Sequence, residues 1–181
     1  LALLAVVSWH SLSIMSNAPR QGIAFYSVRG CPVVHCMADN LHSWLACTDS
    51  LPDMPRLCRA LSPHWNRLRL ETPRLVAGDY TTPGLSMRNQ IVSYAGKCIC
   101  LLSDNRWRNK YSSRPLSVDY LYVSKGYQGG IEELNSLFSI GMVVLDSSLS
   151  DYYQNKIANN CVRLGIPYLL LSQKGSYRIL L

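Results

Sequence analysis

The last third of the chain alternates apolar runs with amphipathic segments, and this alternation most constrains how it can fold. Val118-Asp-Tyr-Leu-Tyr-Val123 is a nearly continuous apolar run, as in a strand covered on both faces. Ile131, Leu134, Leu137 and Phe138 then recur at helical spacing. Gly141-Met-Val-Val-Leu-Asp146 is a second apolar run. Ser150 is a good N-cap for a helix with Tyr153, Ile157, Cys161 and Leu164 on its core stripe, and Gly165 and Pro167 stop it. Pro167 to Ser172 and Tyr177 to Leu181 read as a closing hairpin. Strands that alternate with helices pair in parallel through crossovers, so this half is expected to be a βαβαβ unit of an α/β domain.

The preceding residues follow another pattern. Ile23 to Val28, Val33 to Ala38 and Ser43 to Cys47 are short β-prone runs, punctuated by Gly30-Cys-Pro32 and Asp39-Asn-Leu-His42. They read as an antiparallel meander. A helix is expected from Pro52 to about Trp65, with Leu57, Leu61 and Trp65 on one stripe. Arg67 to Ala77 stays ambiguous, with a strand as one reading. Gln90 to Tyr94 and Cys98 to Ser103 flank Ala95-Gly96-Lys97, a hairpin signal. Asp104 to Pro115 is a polar, basic loop.

Residues 1–16 are apolar and hold no formal charge; the first is Arg20. About 20 apolar residues carry a helix across a bilayer. The segment lacks the basic start of a signal peptide. It reads as the end of a transmembrane helix, with an amphipathic helix docked on the domain as the alternative. Residues 17–21 form a linker, and the folded domain is expected over 22–181.

With 48% hydrophobic and 16% charged residues the chain is globular and not disordered. Its net charge of +7 suits a phosphate backbone or an anionic membrane surface, although a basic domain with neither partner has the same composition. Seven cysteines, at 31, 36, 47, 58, 98, 100 and 161, make an odd count with no CxxC. They read as small buried hydrophobes, and a zinc ribbon is unsupported. Cys31, His35, Cys36, His42 and Cys47 fall close together, but adjacent strand residues such as His35 and Cys36 face opposite ways, which spoils convergence on a metal.

Several of these segments carry a family likeness. Leu101-Leu-Ser-Asp-Asn-Arg-Trp107 and Arg114-Pro-Leu-Ser-Val-Asp-Tyr-Leu121 resemble a subset of the metallo-β-lactamase-like domains at the C-terminus of ComEC-type competence proteins. The likeness implies a truncated metallo-β-lactamase-like sandwich, with the meander and hairpin first and the βαβαβ unit last. Ala46-Cys-Thr-Asp49 is similar to the strand that precedes the metal region in such domains. Ile99 to Asp104 is similar to the strand whose terminal Asp bridges two metals, with Ser103 in place of a Gly. Enzyme-like members carry His-His-Gly-Ser where this chain has Ser124-Lys125-Gly126-Tyr127. They also need a His-x-His-x-Asp-His cluster, because two metals require several imidazoles and carboxylates to activate water. Between Cys47 and Gln90 the only histidine is His64, and none follows Asp104. The likeness therefore implies a non-catalytic domain without cofactor or bound metal, with Asp104 and Asp49 as weak candidate ligands.

The resemblance further implies a membrane-embedded DNA-uptake channel in the bacterial inner membrane, with this domain on its periplasmic or outer face and single-stranded DNA as partner. Arg106, Trp107, Arg108, Lys110 and Arg114 interleave cations with an aromatic ring, a mix that tracks phosphates and stacks bases. Lys125 is expected beside them at a neighbouring strand end. The other reading of this stretch is a solvated loop with Trp107 tucked into the core. A metal-dependent phosphodiesterase with unusual ligands around Asp104, and a purely structural or interaction domain, remain the alternative functions. Asp79 reads as a turn residue and Asp119 as a cap or surface group.

Overall fold

The computed structural model describes residues 21–39, 41–48 and 52–181. The apolar N-terminal segment and Asp49 lie outside them. Strands β1 (Gly22–Phe25), β2 (Val33–Met37) and β3 (Ser43–Cys47) form the expected antiparallel meander. Helix α1 (Met54–Arg67) then returns the chain so that β4 (Arg74–Ala77) pairs in parallel with β3. Asp53 caps α1 by accepting a hydrogen bond from the Arg56 backbone N–H at 3.1 Å.

A second meander follows, of β5 (Tyr80–Thr82), β6 (Leu85–Arg88), β7 (Ile91–Tyr94) and β8 (Lys97–Leu102). Ala95 and Gly96 link β7 to β8 with φ of 47° and 74°, the primed turn that matches strand twist. The chain continues through β9 (Leu116–Val123), a one-turn 3-10 helix (Ile131–Leu134), β10 (Phe138–Leu145), α2 (Asp151–Leu164) and β11 (Tyr168–Leu170). It ends in a helical turn, α3 (Leu171–Lys174), and β12 (Tyr177–Leu180). Strands β8, β9, β10 and β11 are all parallel.

These strands build two sheets, a five-stranded one in the order β12-β1-β2-β3-β4 and a seven-stranded one in the order β11-β10-β9-β8-β7-β6-β5. Ile23, Phe25, Val34 and Cys36 of the first sheet share one buried cluster with Met87, Ile99, Tyr122 and Val144 of the second, so the sheets face each other. Period-two alternation sends the next residues outward. Val123, Val143 and Leu145 pack with Ile157 and Cys161 of α2. Leu45 and Met37 pack with Leu57, Leu61 and Trp65 of α1. The layers thus run helix, sheet, sheet, helix. The domain is mixed α/β, as its alternating pattern requires.

Three expectations need correction. The helix foreseen over 131–138 is a single 3-10 turn, because Ile131 and Leu134 already bury their i, i+3 pair and Phe138 joins β10 opposite Leu116. The closing hairpin does not form. After α3, Gly175 takes φ +77° and the chain crosses to the other sheet, where β12 pairs antiparallel with β1. An apolar strand reads alike whichever sheet it completes. The β5–β6 hairpin was not foreseen, because its strands are three and four residues long.

His35 and Cys36 do point to opposite faces: Cys36 lies between the sheets, and His35 lies under α1. All seven cysteines are unpaired, and five are buried. Burial pushes the Cys100 thiol up to about 12, which suppresses thiolate reactivity. His64, expected at the surface, instead places its Nε2 in a buried position with its ring against Tyr26.

His35 is fully buried and its Nδ1 lies 2.8 Å from the Tyr26 hydroxyl. Burial, then the nearby His64 and Arg178, lower its pKa from 6.5 to about 3. The unfolded chain therefore takes up a proton near pH 6.5 that the folded chain refuses. Stability from this source is complete above that pH and falls as the solution is acidified toward 3, by at most about 1.4 kcal/mol per unit. Urea unfolding between pH 7.5 and 5, above the carboxylate range, is expected to show this loss. A His35→Gln protein, which keeps an acceptor for Tyr26, is expected to show a flatter profile.

Candidate functional site at the strand ends

The C-terminal ends of β8, β9 and β10 lie at one edge of the sandwich because the three strands run parallel, and the loops that leave them form its rim. Residues 124–127 are tied to the end of β8. Ser124 N–H donates to the Leu102 carbonyl at 2.9 Å, and its hydroxyl approaches the same oxygen at 3.5 Å. Gly126 follows with φ +118°. A Cβ there would stand 1.9 Å from the Ser103 carbonyl oxygen, a separation no side chain survives. Only glycine lets this turn close over β8.

Behind the turn lies a chain of polar contacts. Asp146, fully buried at the end of β10, accepts from the Tyr122 hydroxyl at 2.6 Å and from the Ser148 N–H at 2.8 Å. Ser148 Oγ in turn accepts from the Lys125 N–H at 3.0 Å. Burial and the neighbouring Asp146 charge raise the Tyr122 hydroxyl well above its ordinary pKa, so it stays a donor. Asp146 thus fixes the backbone of the turn while the Lys125 side chain remains exposed.

Asp104 stands at the rim, but its carboxylate is engaged. Arg106 Nε lies 3.0 and 2.9 Å from its two oxygens, and Arg106 Nη2 is 2.7 Å from Oδ2. These contacts with Arg106 hold its pKa below the usual carboxylate range. Arg108 is likewise paired, with Nε 2.8 Å from Glu133 Oε2. Trp107 packs edge-on against Phe138 at 5.5 Å between centroids, and Lys110 Nζ lies 5.4 Å from its ring centre. Trp107 is half-buried beside the core, as the solvated-loop reading supposed.

The six basic-loop candidates do not form one patch. Because β8 and β9 are parallel, residues 103–115 must cross from the end of one strand to the start of the other. Strand β9 has eight residues, about 26 Å at ~3.3 Å per residue. Arg106 stays near the 124–127 turn, where Asn105 Oδ1 accepts from the Gln128 N–H at 3.0 Å. Arg114 lies two residues before β9 begins, at the opposite edge from Lys125. The expected juxtaposition of Lys125 with the whole loop is therefore corrected.

A model of the ComEC C-terminal domain matches residues 23–181. The chain belongs to that family. This places it among the domains of DNA-uptake proteins of competence, with the match covering nearly all of the described fold. No curated protein and no solved structure matches it.

The residues at the rim do not fit the metals of an enzyme-like relative. Asp104 has both oxygens on Arg106, Ser124 Oγ faces a carbonyl, and Tyr127 donates to the Gly130 carbonyl at 2.8 Å. Among the described residues no three or more His, Cys, Asp or Glu side chains are grouped closely enough to hold a metal ion. Asp119, foreseen as a cap or surface group, accepts from Lys97 Nζ at 3.0 Å and the Cys98 N–H at 2.9 Å. Asp79 accepts from the Asn89 N–H across a turn.

Two rim residues escaped the sequence reading. Asp146 ends an apolar strand as Asp104 does, a parallel visible in the residues. Arg29 sits in the Gly-containing turn after β1, with nothing in the sequence to mark it as a neighbour of Lys125.

Gly126→Ala is expected to destabilise the domain by ~2 kcal/mol or more, because positive φ and a backbone clash combine. Gly96→Ala is the control: it also has positive φ, but nothing lies within 4 Å of its Cβ position, so a loss of only about 1 kcal/mol is expected. Chemical denaturation of both variants measures the difference.

Proposed function

We propose that this domain is a non-catalytic, metallo-β-lactamase-like part of a ComEC-type channel that contacts single-stranded DNA at the membrane. One observation carries the reading. At the strand edge where the resemblance implies a metal-binding turn, this family member has an exposed Lys125 whose backbone is held by Ser148 and Asp146. A fixed cation there attracts phosphate without activating water. The two-sheet architecture with outer helices and the +7 charge support the reading.

In this reading residues 1–16 are the end of a transmembrane helix, 17–21 a linker and 22–181 the domain, on the periplasmic or outer face of the inner membrane. Residues 1–16 are outside the described region; among the described residues no helix is long and apolar enough to cross a membrane. Of the six candidate contacts, Lys110, Arg114 and Lys125 have no carboxylate partner among the described residues, whereas Arg106 and Arg108 would have to leave theirs. The phosphodiesterase reading requires Asp104 as a ligand, and its pairing with Arg106 argues against it.

The test is binding of a fluorescent oligo-dT to the full chain at two salt concentrations, with and without EDTA. The reading predicts binding that weakens steeply, by roughly tenfold or more between ~50 and ~200 mM salt. It also predicts no change with EDTA and no cleavage. Absence of binding would reduce the domain to a structural role, and EDTA-sensitive cleavage would restore the enzyme reading.

A further inference from the structure

A cleft of about 650 Å³ opens beside the 124–127 turn, lined by Arg29, Lys125, Gly126, Ser147, Ser150 and Tyr153 among others. Three independent features make it electropositive. Arg29 and Lys125 are both exposed, and neither has an ion-pair partner among the described residues. A guanidinium nitrogen of Arg56 lies 3.8 Å from where a Gly30 Cβ would be, so a third cation borders the Arg29 turn. Helix α2, fourteen residues long, starts at the cleft wall, and its N-cap Ser150 makes no side-chain capping bond. Its first backbone N–H groups therefore keep their donors for a ligand.

The cleft also holds an unsatisfied polar atom. Ser147 Oγ is buried with no hydrogen-bond partner. A buried hydroxyl without a partner costs free energy, and a bound oxygen ligand removes that cost. Carboxylates do not compete: Asp146 is buried beneath, bonded to Tyr122 and Ser148, and Asp104 faces Arg106. Asp151, in the first turn of α2, is exposed and does not line the cleft. Tyr153 supplies a half-buried aromatic wall, large enough to flank a sugar or base next to a seated phosphate.

We infer that this cleft seats one phosphate of single-stranded DNA between Arg29 and Lys125, at the N-terminus of α2, with Tyr153 against the adjoining nucleotide. The inference rests on the DNA-contact reading and relocates its anchor. The basic loop has two of its cations paired and is spread over the length of β9, whereas the cleft gathers its cations at one point. The seat is a phosphate site in the first instance, so free phosphate and the DNA backbone are both chemically admissible, and the experiment separates them.

The experiment compares oligo-dT binding by the full chain, by Arg29→Ala/Lys125→Ala and by Lys110→Ala/Arg114→Ala. Circular dichroism and thermal melting establish that each is folded; all four positions are exposed, so unchanged melting is expected. The cleft variant is expected to bind about tenfold or more weaker and to lower the salt slope by about 2, one unit per lost phosphate contact. The loop variant is expected to lose less than about threefold, as for peripheral cations. If the full chain binds and the cleft variant matches it, the seat is wrong and the DNA reading stands. A parallel titration with inorganic phosphate alone, followed through the amide resonances of residues 147–153, locates the seat directly. Shifts there without any oligo-dT binding would keep a phosphate seat but overturn its assignment to DNA. No shifts and no binding would overturn both.

Discussion

The rim of this domain depends on one backbone approach, Gly126 lying over the Ser103 carbonyl. It brings the loop after β9 against the end of β8, and no side chain larger than hydrogen can stand there. Everything at that edge takes its position from this contact. Ser124 turns toward Leu102, Lys125 is directed outward, and Gln128 reaches Asn105. The buried Asp146 completes the arrangement from the other side by holding Ser148 under the Lys125 backbone. A buried carboxylate is tolerable because its oxygens are matched by donors, and that matching converts it into a structural peg.

The same edge explains how a family with metal-dependent relatives can lack the ligands while keeping the fold. Sheets pack through Phe25, Tyr122, Ile99 and their neighbours, and that core owes nothing to a metal. Asp104 would be costly to leave at a half-buried rim without a cation. Arg106, two residues on, supplies that cation through a fork of charge-assisted hydrogen bonds. Protein cations therefore occupy both roles that metals would fill, balancing Asp104 internally and facing outward at Lys125 and Arg29.

Much of the architecture was legible because periodicity reports burial. The alternation in Ile23–Phe25 and Val33–Met37, the stripe Leu57–Leu61–Trp65 and the Ala95-Gly96 turn each name an element without outside help. Partner choice was not legible. Residues 177–180 look like the second arm of a hairpin, and only the path after Gly175 carries them to β1. The candidate site shows the same limit. Residue types announced a basic loop, but the parallel pairing of β8 and β9 distributes it across the sheet, and long-range pairing lies outside local pattern. Arg29, distant in sequence, reaches the cleft because β1 ends at the same edge.

The claim that protein cations have replaced metal at this edge is tested most directly by titrating Mn²⁺ into the isotope-labelled protein and following paramagnetic broadening of its amides. The account predicts no selective broadening of residues 103–106 or 124–128 at stoichiometric metal, because Asp104 is held by Arg106. Broadening of both segments at one equivalent, abolished by Asp104→Asn, would contradict it and return the domain to the metal-binding members of its fold.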